Sequence, residues 1–144
     1  MNLADLLAQL EQYGWSADQV DDRVLAAGLL VGENSFLVLF QLDEPWLRIV
    51  LPALVPGTQA DRLPVLMQLA LELNHSARLA RFAIDDRGQL VLCLDLNIEH
   101  GLAYQDLELA LDVLTYLADA TYERLMSASV PETMEETRED DGLS

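Results

Sequence analysis

Residues 24–52 run Val24-Leu-Ala-Ala-Gly-Leu-Leu-Val31, Gly32-Glu-Asn34, Ser35-Phe-Leu-Val-Leu-Phe-Gln-Leu42, Asp43-Glu-Pro45, Trp46-Leu-Arg-Ile-Val-Leu-Pro52. Three apolar, β-branched and aromatic runs, about 24–31, 35–42 and 46–52, are separated by gaps of only a few turn-forming residues. A parallel crossover needs roughly a dozen residues or more, so gaps this short admit hairpins alone, and the three runs predict a stretch of antiparallel sheet.

Helices flank this stretch. Upstream, Leu3, Leu6, Leu7 and Leu10 recur at helical spacing behind Asn2, a good N-cap residue. Asp5 falls in the first turn, where the helix dipole favours an anion, and Gly14 ends the pattern. Downstream, Pro56-Gly57 breaks the chain and Asp61 can cap a helix carrying Leu63, Leu66, Met67, Ala70, Leu71 and Leu73, with Pro64 in its first turn. Asn74 and His75 close it. Two more strand-like runs, about 79–85 and 89–97, enclose the turn Asp85-Asp86-Arg87-Gly88. In the second run Leu90, Leu92, Leu94 and Leu96 take one face, and Val91, Cys93 and Asp95 the other. A last helix, about 103–127, carries Leu107, Leu111, Leu114, Ala118 and Leu125 on one stripe.

The predicted order is therefore α-β-β-β-α-β-β-α, an α+β plan with an antiparallel sheet. Two features exceed what a lone two-layer domain requires. The 35–42 run is apolar on both faces, with Leu37 and Leu39 opposite Phe36, Val38, Phe40 and Leu42. The last helix carries a second apolar stripe of Leu109, Val113, Tyr116 and Ala120. Other parts of the chain, a second copy or a bound polypeptide are the candidates to cover these faces.

With 144 residues, 51% hydrophobic and 23% charged, the chain has the size of one domain. We expect residues 1–130 to form it and residues 131–144, with six acids, one arginine and almost nothing to bury, to be a disordered acidic tail. The formal net charge is −17, and all eight basic residues are arginines. Lysine-nucleophile chemistry is thereby excluded, and nucleic acid and anionic membranes become poor partners. A basic partner or simple solubility suits such a charge. Cys93 is the single cysteine, so no intrachain disulfide forms, and a reducing compartment fits. There is no positively charged n-region, and no uncharged apolar run reaches the roughly 18 residues that span a bilayer, so we expect a cytoplasmic protein.

Catalytic constellations are scarce. Asp95, Asn97, Glu99 and His100 could offer oxygen and imidazole ligands to a cation. They match no ligand motif and read as the polar face and exit turn of a strand. His75 and His100 are the only histidines, and no serine sits in a Gly-x-Ser-x-Gly elbow. Cys93 reads as a small core filler, with Asp95 rather than a cation along its face. The glycines are scattered, giving no phosphate cradle. Asp21-Asp22 and Asp85-Asp86 read as turns, and Trp15 and Trp46 as core lids or interface anchors. No cofactor, metal or enzymatic activity is expected.

The segment 69–96 resembles the central segment of the YbjN family of bacterial proteins. The points of likeness are the helix ending Leu73-Asn74, the strand Arg81-Phe82-Ala83-Ile84, the turn from Asp85 to Gly88 and the leucine-alternating strand. The helix from Asp106 through Arg124 and the apolar strand ending near Pro52 are similar to the family's as well, so the likeness covers roughly residues 2–127. The acidic tail has no counterpart in it. The family is similar in fold to the type III secretion chaperones, small acidic α+β proteins that commonly dimerise and hold an extended segment of a client. The resemblance therefore implies a non-catalytic protein-binding module, and the residues of this sequence expected to contact a polypeptide client are Leu37, Leu39, Trp46, Arg48 and Val50. Leu109, Val113, Tyr116 and Ala120 are the expected seam of a homodimer. A regulatory scaffold acting through homodimerisation alone is the alternative.

Overall fold

Asn2 opens the first helix, α1 (Leu3–Tyr13), with a reciprocal cap: its side chain accepts from the Asp5 N–H at 2.9 Å, while the Asp5 carboxylate accepts from the Asn2 N–H at 3.2 Å. Gly14 closes the helix at φ +95°, a left-handed conformation that glycine adopts without steric cost. The computed structural model describes residues 1–55 and 60–130. The expected break at Pro56-Gly57 and the expected acidic tail at 131–144 lie outside the described residues.

The three apolar runs form β2 (Val24–Val31), β3 (Asn34–Asp43) and β4 (Trp46–Leu51), joined as antiparallel hairpins. A strand absent from the sequence reading, β1 (Ala17–Asp21), precedes them. Its residues, Ala-Asp-Gln-Val-Asp, are exposed except for half-buried Ala17, so it carries no apolar alternation. It is recruited at the sheet edge by backbone pairing with β2. After a 3-10 turn at Ala60–Arg62 come α2 (Leu63–Ser76), β5 (Arg81–Ile84), β6 (Leu90–Asn97) and α3 (Tyr104–Ser129). The six strands form one antiparallel sheet in the order β1-β2-β3-β4-β6-β5.

One face of this sheet is the core. Leu25, Ala27, Leu29 and Val31 of β2, Phe36, Val38, Phe40 and Leu42 of β3, Leu47, Ile49 and Leu51 of β4, and Leu90, Leu92 and Leu94 of β6 belong to a single buried cluster. The cluster also takes in Leu3, Leu6 and Leu10 of α1, Leu66 and Ala70 of α2, and the α3 stripe Leu107, Leu111, Leu114, Ala118 and Leu125. Burying each of the larger aliphatic side chains contributes about 1.5–3 kcal/mol. All three helices thus lie on one side of the sheet.

Two expectations for α2 are corrected. Asp61 does not cap it: the residue lies in the 3-10 turn, Arg62 holds the N-cap position, and no side chain caps the helix. Met67 and Leu71 are exposed, because α2 sinks only a narrow stripe, Leu66 and Ala70, into the core. At the far end of α2, the Asn74 carboxamide receives the Phe82 N–H on Oδ1 at 2.7 Å and donates from Nδ2 to the Phe82 carbonyl at 2.9 Å. Strand β5 has β6 on one side only, so the amide occupies the place of a further strand.

Candidate protein-binding surface

The side of the sheet turned away from the helices is built by strand parity. In β3 the alternation buries Phe36, Val38 and Phe40 and leaves Leu37 and Leu39 on the opposite face, and in β4 Trp46, Arg48 and Val50 are their counterparts. Register then aligns these residues. One row crosses all six strands: Asp18, Ala26, Leu39, Val50, Cys93 and Arg81. A second runs Gln41, Arg48, Asp95, and a third Asp43, Trp46, Asn97. The five residues singled out as contacts, Leu37, Leu39, Trp46, Arg48 and Val50, therefore share one surface. Leu37 is 51% exposed and Trp46 46% exposed. Trp46 is thus not a core lid, whereas half-buried Trp15 sets its ring edge-on to Phe40 at a centroid distance of 6.0 Å.

On this face, on the strand next to the β5 edge, Asp95 is held by two arginines. Arg48 donates from Nε to Oδ1 at 2.8 Å and from a terminal nitrogen to Oδ2 at 3.3 Å, and Arg81 donates to Oδ2 at 3.1 Å. The hydrogen bond from Arg48 holds the Asp95 carboxyl below its ordinary range; burial opposes this, and Arg81 reinforces it. The bond to Asp95 in turn raises the Arg48 pKa. Sequence spacing gave no sign of this cluster, since its members come from three strands and meet only through register.

Cys93 requires a correction of place. It is buried, but on this face, between Val50 and Arg81, and outside the main core cluster. Burial raises its thiol pKa, and this outweighs the opposing influence of Arg81 and Arg48, so the thiolate is disfavoured. Asp95, Glu99 and His100 do not form a cation site: among the described residues no three His, Cys, Asp or Glu side chains converge where a metal ion could sit. Asn97 instead accepts the Glu99 N–H at 2.9 Å in the strand's exit turn.

Two hollows flank the apolar centre. One of about 500 Å³ lies at the 35–37 end of β3 and takes lining from both sides of the sheet, with Leu37, Leu39 and Arg87 on one side and core-side Phe36 and Tyr122 of α3 on the other. The other, about 170 Å³, lies among Gln41, Asp43, Trp46, Arg48 and Asp95. On the opposite side of the molecule, the second α3 stripe leaves Leu109 and Tyr116 more than half exposed, with Val113 half-buried and Ala120 exposed. Val113 and Tyr116 border a groove of about 340 Å³ against Ser76, Ala77 and Arg78. Among the described residues no helix is long and apolar enough to cross a membrane.

The family model of YbjN, described as "Putative bacterial sensory transduction regulator", matches residues 2–126. The chain belongs to the YbjN family. Among solved structures, the crystal structure of YbjN from E. coli, titled "a putative transcription regulator", is 15% identical, with a TM-score of 0.64 over 86% of this chain and 93% of that one. A chain of the ExsC-ExsE complex is 19% identical at a TM-score of 0.60, covering 87% and 97%. A chain of the heterodimeric ExoU-SpcU complex from the type III secretion system of Pseudomonas aeruginosa is 20% identical at 0.52, covering 86% and 97%. No curated protein matches the sequence. This YbjN-family chain thus has the α+β fold also seen in a chain of the ExsC-ExsE complex and in a chain of the ExoU-SpcU complex.

Proposed function

We propose that this chain is a non-catalytic, chaperone-like module of the cytoplasm that holds an extended polypeptide segment on the open face of its sheet. Residues 1–130 act as the binding domain, and 131–144 form an acidic extension. The observation that carries the reading is the alignment of Leu37, Leu39, Val50, Arg48 and Trp46 on a face that no described helix covers. An apolar surface of this kind, rimmed by polar groups, suits a protein partner. Membership of the YbjN family and a fold shared with chains solved in protein complexes support it.

The test is selection from a displayed library of extended peptides, run in parallel with the native chain and with L37D/L39D. The native chain enriches peptides with alternating apolar residues, while the folded variant enriches none. Equal enrichment by both would move the binding site elsewhere.

A second reading, homodimerisation as the main activity, draws on the exposed α3 stripe. Leu109 and Tyr116 are 56% and 70% exposed at positions one helical face shares with Val113 and Ala120. Sedimentation equilibrium of the native chain against L109D/Y116D tests it: a dimer converted to monomer supports the seam, and a monomeric native chain removes it.

A further inference from the structure

The open face is far less acidic than the chain as a whole: its rows hold three aspartates and two arginines, against 25 acidic and eight basic residues overall. Of the 25 acidic residues, only Asp95 stands in the central rows, with Asp18 and Asp43 at the margins. The others lie in helices, turns, the β1 edge and outside the described residues. Arg48 and Arg81 share the single carboxylate of Asp95, so the hydrogen-bonded trio carries one positive charge in excess, with Asp43 of the same hollow the nearest further acid to Arg48. Asp95 accepts one nitrogen from Arg81 and two from Arg48. Each guanidinium has five N–H donors, so both keep donors that Asp95 does not use. Both arginine side chains are nearly half exposed, at 48% and 45%, and their planes suit a second carboxylate.

The apolar neighbours set a spacing. Leu37, Leu39 and Gln41 are consecutive outward positions of β3, and Gln41 pairs with Arg48. A chain lying extended beside them presents side chains to the sheet every second residue, at about 6.6 Å. We infer that the open face recognises an extended segment in which two apolar residues, spaced by two, are followed two residues on by an aspartate or glutamate that completes the Arg48–Asp95–Arg81 cluster. The inference rests on the protein-binding reading and names the partner's chemistry. It reverses the expectation of a basic partner that the net charge suggests. Beyond a Debye length of about 8 Å the acids elsewhere are largely screened, so the adjacent guanidinium groups decide the local preference.

The experiment uses three blocked, fluorescein-labelled peptides with the repeat Leu-Ser-Leu-Ser-X, where X is Asp, Asn or Lys, titrated by anisotropy against the full chain. The expected order is Asp tightest, then Asn, then Lys, with roughly a fivefold to tenfold step for one partly exposed charge-assisted contact. R48Q/R81Q abolishes the difference between the Asp and Asn peptides. D95N, which leaves both arginines uncompensated, tightens the Asp peptide further. If all three peptides bind alike, or Lys binds best, and L37D/L39D loses them, the inference fails while the protein-binding reading stands. If no peptide binds, or L37D/L39D binds as well as the native chain, that reading fails too. If the Asp peptide binds only after the six tail acids are changed to amides, the chain's own tail is the occupant and a partner segment is excluded. A self-associated chain that excludes the peptide and dissociates in L37D/L39D assigns the face to a second copy, which also overturns the inference.

Discussion

The Asn74 carboxamide and the Phe82 peptide groups form a closed pair of hydrogen bonds, 2.7 and 2.9 Å long, that ties the last turn of α2 to the free side of β5. An unpaired edge strand is a template for association with other chains, and a side-chain amide that satisfies its donor and acceptor blocks that template at mid-strand. The other edge, β1, is guarded differently. It is short, carries Asp18 and Asp21, and is interrupted by a register shift between Gln19 and Asp21.

Asn74→Ala should therefore act twice. Removing both bonds from a partly buried site lowers stability by about 1–3 kcal/mol, measured by urea denaturation. The uncovered β5 edge also promotes concentration-dependent association in light scattering. A variant that loses stability but stays as monodisperse as the native chain limits Asn74 to a structural tie.

Positions 37 and 40 of β3 differ by three residues and by face, so their variants should diverge. Phe40 is fully buried, and Phe40→Ala costs about 3–5 kcal/mol by denaturation. Leu37→Asp, at a half-exposed position, changes stability by less than about 1 kcal/mol. A collapse of stability in Leu37→Asp would place that face in contact with something in the free protein.

Register is also where sequence reading reached its limit. The hairpins, Asn2 as the N-cap, the Gly14 stop and the parity of β3 are legible because each depends on neighbours along the chain, whereas the return bond from Asp5 to Asn2 shows only in the structure. Strand β1 is not legible, because an edge strand needs only its backbone, and Ala-Asp-Gln-Val-Asp offers no pattern to bury. The α2 stripe was read too widely, since apolar spacing gives the direction of the core but not how deeply a helix sinks into it. Leu37, Leu39, Trp46, Arg48 and Val50 could be named but not aligned, and the arginines around Asp95 meet only once β4, β5 and β6 are paired.

Asp95 should leave a mark on acid stability. Its folded pKa lies below the ordinary carboxylate value of about 3.9, because Arg48 stabilises the charged form. The stabilisation is therefore complete above that unfolded value and is lost as pH falls through the lowered folded pKa. With both arginines nearly half exposed it amounts to less than about 1 kcal/mol. Native and D95N chains should differ by a constant amount above the ordinary carboxylate range and converge as the pH falls through the lowered folded pKa of Asp95. A difference that persists unchanged in acid would contradict the ion-pair account.

Tyr13 gives the complementary test in alkali. Burial, together with the hydrogen bond its hydroxyl donates to Asp112 at 2.8 Å, pushes its pKa up to about 12. A raised folded pKa stabilises the fold fully below the ordinary value of about 10 and ceases to do so as pH climbs through the folded one. Ultraviolet titration should show one of the four tyrosines ionising near pH 12. That step should vanish in Tyr13→Phe, which also loses the hydrogen bond from α1 to Asp112 of α3.

The central claim is that a polypeptide segment binds the open sheet face, and amide shift mapping on the isotope-labelled full chain tests it most directly. Titration with an extended Leu-Ser-Leu-Ser-Asp repeat peptide should move the resonances of Leu37, Leu39, Arg48, Val50, Cys93 and Arg81, leaving Leu109 and Tyr116 in place. Shifts confined to α2 and α3, with the sheet face unmoved, would contradict it.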